Sequence, residues 1–144
     1  MKVNFVKLNP NAIVPSKGSN RAGGFDLYAC IKEEVNIYPH CTVKIGTGIA
    51  IQPPQGTFGA IFARSGIATK RGLRPSNCVG VCDEDYTGEY IVALHNDTSV
   101  MQTVKPQERI AQLVFVPYLD VEFEEVESLE ETERGDGGFG STGR

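Results

Sequence analysis

The sequence predicts an all-β domain, and three features of the chain support this class. Short segments rich in β-branched and aromatic residues recur along its 144 residues. Glycine, proline and asparagine separate these segments. Only one short stretch of the chain is predicted as a helix. The length suffices for one core, so we expect a single jelly-roll domain, a β-sandwich or barrel, over residues 1–133, followed by a flexible glycine-rich lid at 134–144.

The strand predictions follow the β-branched and aromatic content. They cover residues 3–7, 24–29, 34–38, 42–45, 49–52, 57–63, 90–94, 101–104 and 109–117. Pro53-Pro54-Gln55-Gly56 predicts a turn, and residues 65–71 are long enough for a helix of about two turns. Residues 121–133 are rich in glutamate, which favours a helix. Their apolar residues begin with a period of two at Val121 and Phe123, so we predict a final edge strand in the first half.

Composition excludes several classes of function. The net charge of −4 argues against a surface that coats nucleic acid, although a local cluster of donors could still bind a small anion. No apolar run approaches the length of a membrane span, and the N-terminus lacks the pattern of a signal peptide, so we expect a cytoplasmic protein. The four cysteines form no C-x-x-C pair and are predicted as buried free thiols.

The glycine-rich run at 134–143 predicts a nucleotide lid, because five of its ten residues are glycine. Glycine allows a backbone to approach phosphate oxygens closely. Arg134 supplies a cation, Ser141 and Thr142 supply hydroxyl donors, and Phe139 offers a flat ring for a base. The alternative interpretation is a frayed tail with no function.

Two further segments carry polar groups suited to phosphate chemistry. Arg64-Ser65-Gly66 lies where a predicted strand ends and a helix starts, and such a position combines a cation, a hydroxyl and free backbone N–H groups. The alternative is a plain strand end with Ser65 as the helix cap. Residues 77–89 predict a hairpin tip with three carboxylates before Tyr86. A carboxylate beside phosphates can activate water, although acids at a turn are often only solvated.

These segments, in this order, resemble the motifs of the all-β deoxyuridine triphosphatases (dUTPases). The first is Ala22-Gly23-Gly24-Phe25-Asp26-Leu27-Tyr28-Ala29, with one glycine more than is usual, and the second spans 56–68. The third spans 80–88, with Cys82 where isoleucine is usual. Glu108-Arg109-Ile110-Ala111-Gln112-Leu113 matches the fourth motif and 134–143 the fifth. The resemblance covers nearly the whole chain.

The resemblance implies a homotrimer of jelly-roll subunits with active sites at the subunit interfaces. Such an enzyme hydrolyses dUTP to dUMP and pyrophosphate, which keeps uracil out of DNA and supplies dUMP for thymidylate synthesis. The implied cofactor is Mg²⁺, bound mainly through the substrate triphosphate and water. Asp83 is then the residue that activates the attacking water, and Asp26 is an acid that holds the water ligands of the metal.

The resemblance also assigns binding roles. Arg64, Ser65 and Gly66 are implied to bind the α and β phosphates, and Gln112 adds a polar contact. The tail is implied to close over the nucleotide, with Phe139 stacking on uracil. Arg134, Ser141 and Thr142 are implied to bind the γ-phosphate, and Gly140 is implied to contact the substrate from the same tail.

Recognition of the base and sugar is implied for the segment around Asp83. Its backbone is expected to read uracil through fixed donors and acceptors, rejecting cytosine and thymine. The residues concerned are Asn77, Gly80, Val81, Cys82 and Ile91. Tyr86 is expected to pack on the deoxyribose and to leave no room for a 2′-hydroxyl.

Two other functions fit the same scaffold. A dCTP deaminase shares the fold, but its phosphate motif typically reads Arg-Ser-Ser where this chain has Arg64-Ser65-Gly66. Release of ammonia from dCTP distinguishes that enzyme. A nucleotide-sensing regulatory protein is the non-enzymatic alternative, and the presence of Asp83, Arg134 and Phe139 argues against it.

Overall fold

The computed structural model describes residues 1–138 of the chain. Within this range the secondary structure comprises strands and one short helix. In chain order the elements are β1 Asn4–Lys7, β2 Phe25–Tyr28, β3 Val35–Ile37, β4 Thr42–Gln52, β5 Thr57–Phe62, α1 Ser65–Arg71, β6 Leu73–Pro75, β7 Gly80–Cys82, β8 Glu89–Asn96, β9 Gln102–Val104 and β10 Arg109–Pro117. Within residues 1–138, no helix is long and apolar enough to cross a membrane.

Two four-stranded antiparallel sheets form a β-sandwich. The first has the order β1-β4-β8-β6 and the second the order β2-β10-β5-β7, while β3 and β9 form a separate two-stranded ribbon. One continuous core lies between the sheets, with side chains from both, such as Val92 of β8 and Leu113 of β10. The all-β sandwich prediction is therefore confirmed.

Strand β8 shows how the sequence produces this core. Its side chains alternate in burial along the strand, as expected where one face of a sheet meets the core and the other does not. Tyr90, Val92, Leu94 and Asn96 are buried. The buried Asn96 is satisfied, because its amide donates to the carbonyls of Ile37 and Val100 at 3.0 and 2.8 Å.

Strand β4 is one long strand where the sequence predicts two short ones. Its pairing with β8 shifts register between Gly46 and Ala50, which marks a β-bulge. Gly48 adopts φ +68 there, a left-handed conformation that glycine reaches without cost. Its backbone N–H donates to Glu89 Oε1 at 2.7 Å. The bulge explains why the alternation breaks off between residues 45 and 49.

Two predictions of local structure are wrong. Residues 121–133 form no strand, since they find no pairing partner among residues 1–138, and their glutamates are exposed. Residues 77–89 do not form a hairpin, because β7 pairs with β5 in one sheet while β8 pairs with β4 and β6 in the other. The segment therefore crosses between the two sheets and passes the end of the sandwich.

The cysteine prediction is correct in one part and wrong in another. All four thiols are free. Cys82 is buried and Cys30 is half-buried, whereas Cys41 and Cys78 are exposed. Cys41 precedes β4 and Cys78 lies in the turn after β6, and such connecting segments run over the surface.

Candidate active site

Asp26 on β2 is the centre of a charged cluster on the second sheet. Arg64 Nε donates to its Oδ1 at 2.7 Å, and Arg109 Nη1 donates to its Oδ2 at 3.2 Å. The Asp26 side chain is only 13% exposed, so both of its oxygens are held in a largely desolvated place. A paired carboxylate of this kind is fixed in orientation as well as in charge.

A β-bulge in β10 brings Arg109 and Gln112 to one face. Residues three apart in a regular strand point to opposite faces. Here the pairing with β2 shifts register between Arg109 and Ala111, and Ile110 and Ala111 are both buried. Gln112 then lies opposite Asp26, and its amide donates to the carbonyl of Ala63 at 2.8 Å. The sequence alone predicts no role for Arg109, because the bulge depends on the pairing of β10 with β2.

Arg64-Ser65-Gly66 lies next to this cluster. Arg64 is the N-cap residue of α1 in extended conformation and makes no side-chain capping bond, so Ser65 is the first helical residue and not the cap. Ser65 and Gly66 are exposed, and nothing within 4 Å would meet a Cβ at Gly66. The hydroxyl and the backbone here are open to a ligand beside the Arg64 guanidinium.

Asp83 directly follows β7, which is the edge strand opposite β2 in the same sheet. Its side chain is exposed and lines an open cavity of about 960 Å³. The neighbouring Glu84 is structural, since it accepts hydrogen bonds from Gly56 N at 2.7 Å and from the Tyr118 hydroxyl at 2.8 Å. The bond to Glu84 raises the pKa of Tyr118. Of these two carboxylates, Asp83 is the one available for chemistry.

The other residues predicted to recognise the base lie on β7, in the turn before it and on β8. Gly80 is buried and packs on Ile61, and Val81 is 60% exposed. Asn77 accepts a backbone hydrogen bond from Val79 N at 2.6 Å. Ile91, on β8, is exposed. The structure thus places Gly80, Val81 and Cys82 on β7 and Ile91 on a strand of the other sheet.

Tyr86 is held in one orientation. Its hydroxyl donates to the Glu89 carbonyl at 2.8 Å, and its ring centroid lies 6.2 Å from that of the buried Tyr90. A Cβ at Gly88 would lie 2.7 Å from Tyr86 Cζ, so the glycine is what lets the ring pack there. Tyr86 as a whole is 42% exposed, so part of the residue is accessible to a ligand.

Cys82, the last residue of β7, is a buried and neutral thiol. Burial raises its pKa to about 11. Burial and the neighbouring Cys82 also raise the pKa of Tyr90, whose hydroxyl has no hydrogen-bond partner among residues 1–138. Both groups are therefore uncharged at neutral pH and contribute packing, and neither is a nucleophile there.

The tail is described only in part. Arg134 Nε donates to the carbonyl of Gly137 at 2.8 Å, and Gly135 adopts φ +52. Phe139, Gly140, Ser141 and Thr142, which the sequence analysis assigns to nucleotide binding, lie outside the described residues.

One chain keeps the two acids Asp26 and Asp83 apart. They lie at opposite edges of the sheet with order β2-β10-β5-β7. Three strand spacings separate those edges, which is about 14 Å. One chain therefore carries two separate groups of candidate residues, one with Asp26, Arg64 and Gln112 and one with Asp83 and Tyr86.

The described residues form no preorganised metal-binding site made of protein side chains alone. No group of three or more His, Cys, Asp or Glu side chains within 1–138 is arranged to hold a metal ion. Both Asp26 oxygens accept from arginines. Mg²⁺ commonly keeps several waters and binds through substrate phosphates with one or two carboxylates, and this chain fits that mode.

Fold and site together define an all-β sandwich protein with a cluster of two arginines around Asp26. The dUTPase family model matches residues 10–143. The chain is 46% identical over 144 residues to the deoxyuridine 5'-triphosphate nucleotidohydrolase of Desulfitobacterium hafniense (strain DSM 10664 / DCB-2), covering 99% of this chain and 95% of that protein. It is 44% identical to the protein of the same name from Nautilia profundicola, with both chains covered completely. The chain belongs to the dUTPase family.

A solved structure supports the same assignment. The structure is of a variant dUTPase of Staphylococcus bacteriophage 80alpha with dUpNHpp. It superimposes with a TM-score of 0.89 at 27% sequence identity and covers 99% of each chain. The predictions of the family and of a dUTP nucleotidohydrolase are thus confirmed.

Proposed function

We propose that this protein hydrolyses dUTP to dUMP and pyrophosphate by attack of water on the α-phosphorus. Family membership supports the reaction, and the exposed Asp83 is the observation that carries the mechanism. Asp83 takes a proton from water as the new oxygen–phosphorus bond forms. The bond from the α-phosphorus to the bridging oxygen breaks, and pyrophosphate leaves with that oxygen.

The cluster around Asp26 binds the polyphosphate. Arg64, Ser65 and Gly66 supply a guanidinium, a hydroxyl and backbone N–H groups to the α and β phosphates. Gln112 is fixed by its bond to Ala63 and adds a polar contact. Binding of this kind positions the α-phosphorus for in-line attack, which is the larger part of catalysis in phosphoryl transfer.

Mg²⁺ is the proposed cofactor, held through the triphosphate and water. When bound, it neutralises charge that develops on the phosphate oxygens. Asp26 would accept hydrogen bonds from the water ligands of the metal, and its ion pairs with the two arginines hold the carboxylate in one orientation.

Base and sugar are recognised beside Asp83. The backbone between Asn77 and Cys82 supplies fixed donors and acceptors to uracil, and Val81 and Ile91 are the proposed side-chain contacts. Tyr86, held by Glu89 and Tyr90, packs on the deoxyribose and fills the space of a 2′-hydroxyl. The Tyr86 ring therefore excludes the 2′-hydroxyl of UTP by steric clash, which selects dUTP.

A homotrimer is the proposed assembly. The separation of Asp26 and Asp83 in one chain supports a site shared between subunits. One subunit supplies the cluster around Asp26, and another supplies Asp83 and the segment beside it. The proposed role of the tail, through Arg134, Phe139, Gly140, Ser141 and Thr142, is to cover a site formed by the other two subunits.

Deamination of dCTP is the weaker candidate. The motif Arg64-Ser65-Gly66 departs from the Arg-Ser-Ser typical of that enzyme, and the relatives reported above are nucleotidohydrolases. A regulatory role without catalysis has no particular observation in its favour.

Pyrophosphate release tests the proposal. With Mg²⁺ present, dUTP is expected to turn over while UTP, dTTP and dCTP react far more slowly. Asp83→Asn should keep the fold and bind nucleotide but lose turnover by ~10²–10⁴-fold, the usual effect of removing a general base. Asp120→Asn is the matched control, since Asp120 is an exposed carboxylate beyond β10. Near-normal kcat in Asp83→Asn would disprove its role.

A further inference from the structure

Asp26 is paired with two arginines, and the pairing gives Arg109 a function. We propose that Arg109 is a positioning residue: it holds the Asp26 carboxylate when Arg64 transfers its guanidinium from Asp26 to the polyphosphate. This inference rests on the proposed function, in which Arg64 binds phosphate. Arg109 acts through Asp26 and does not itself touch the nucleotide.

Burial makes the second arginine necessary. The side chain of Asp26 is 13% exposed and that of Arg64 is 24% exposed, so this ion pair is largely removed from water. Removing one partner from such a pair leaves an uncompensated charge, which is strongly unfavourable. If Asp26 had only Arg64, binding of phosphate to Arg64 would therefore break a desolvated pair. With Arg109 present, Asp26 keeps a cation throughout.

The contacts of Arg64 show that it can leave. Its strong side-chain bond is the one from Nε to Asp26, at 2.7 Å, and its Nη1 lies a long 3.5 Å from the Arg109 carbonyl. Its backbone precedes α1 beside the exposed Ser65 and Gly66. Rotation of the side chain alone can therefore redirect the guanidinium towards a ligand at those residues.

The contacts of Arg109 show that it stays. Its backbone is anchored on β10 by pairing with Tyr28 at the bulge, and its Nη1 reaches the oxygen of Asp26 that Arg64 does not use. The two arginines therefore occupy different oxygens and do not compete for one position. Arg109 is 51% exposed, so its own pairing costs less desolvation than that of Arg64.

Binding of dUpNHpp in EDTA tests the inference without turnover. Arg109→Gln should weaken binding of this analogue by about tenfold, because Arg64 is then the only partner of Asp26 and is retained there. Arg109→Lys should recover part of the loss. The affinity for 2′-deoxyuridine, which lacks phosphate, should change by less than about twofold in the same binding assay, since the base and sugar contacts are untouched. The control is Arg74→Gln, which removes the more exposed ion pair of Arg74, on β6 of the other sheet, with Asp97 and should change neither affinity.

The Asp26→Asn background separates positioning from direct contact. Without the carboxylate, Arg64 is no longer held, so adding Arg109→Gln should cause no further loss of analogue affinity. An undiminished tenfold loss in that background would show that Arg109 binds phosphate directly and would overturn the inference. Equal affinities of Arg109→Gln and Arg74→Gln would also overturn it. Failure of the proposed function is a separate result, namely a wild-type protein that releases no pyrophosphate from dUTP.

Discussion

Asp26 and Asp83 lie at opposite edges of one four-stranded sheet, Asp26 on β2 and Asp83 directly after β7. Antiparallel pairing fixes Asp26 opposite Gln112, and it fixes Cys82, the residue before Asp83, opposite Gly59. Hinge motion within the sheet cannot close a distance of about 14 Å without breaking those ladders. We therefore expect that joint action of the two acids on one substrate involves two copies of the chain.

Mixed assemblies should recover activity that each variant lacks. We expect Asp26→Asn and Asp83→Asn to be weakly active alone. After the two are unfolded and refolded together, about one quarter of the sites should combine an intact Asp26 with an intact Asp83 in a cyclic assembly. Pyrophosphate release from dUTP measures the recovery. The control is each variant refolded alone, and mixed oligomers without recovery would place both acids in the same subunit's site.

The strand segments with strong β-branched content were predictable because their signal is local. Residues 109–117 were predicted and β10 is Arg109–Pro117, and residues 57–63 contain β5, Thr57–Phe62. The motifs also identified the family, since polar residues at Arg64-Ser65-Gly66 and around Asp83 have no role in the core. The predictions of site residues and of the tail's role remain predictions.

Features set by distant pairing were not predictable. The short strands β6 and β7 are stabilised by pairing with β8 and β5, which are distant in sequence. The local sequence of residues 77–89 therefore predicts a hairpin, whereas the segment connects two sheets. The bulge that brings Arg109 to Asp26 is visible only once β10 is paired with β2. The period of two at Val121 suggested a strand, but a strand needs a neighbour, and residues 1–138 offer none.

Tyr86 should discriminate against UTP. Tyr86→Ala removes the ring that fills the space at C2′, so the preference for dUTP should fall by about 1–3 kcal/mol. Tyr86→Phe is the matched variant, because it keeps the ring and loses only the hydrogen bond to the Glu89 carbonyl. It should retain most of the preference. The measurement is the ratio of kcat/KM for dUTP and UTP, and an unchanged ratio in Tyr86→Ala means that the sugar is sensed elsewhere.

The buried Cys82 thiol should make the fold less stable in alkali. Its folded pKa is about 11 against 9.0 for the free thiol, because burial disfavours the thiolate. Above pH 9 the unfolded chain loses this proton while the folded chain keeps it. The stabilisation is therefore complete below pH 9 and is lost as the pH rises towards 11, by at most about 3 kcal/mol.

Substitution isolates that contribution. Cys82→Val should flatten the decline in the free energy of unfolding between pH 9 and pH 11, measured by urea denaturation at each pH. Tyr90 still contributes, because its raised pKa acts in the same direction. The control is Cys41→Ser, which alters an exposed thiol and should leave the decline as it is in the wild type. Equal slopes in all three proteins would mean that Cys82 ionises alike in the folded and unfolded chains.

Removal of the tail should separate binding of dUMP from hydrolysis of dUTP. Truncation after Glu133 deletes Arg134 and Phe139, the proposed contacts to the γ-phosphate and the base. The hydrogen bonds described for residues 134–138 stay within 132–137, so the truncated protein should keep its melting temperature. It should bind dUMP nearly as well as the full chain and hydrolyse dUTP poorly, because the tail no longer excludes water or fixes the triphosphate. Calorimetry with dUMP and pyrophosphate release give the two measurements. Arg134→Gln in the full chain is the matched variant and should lose part of the turnover, whereas full activity after truncation would exclude the tail from catalysis.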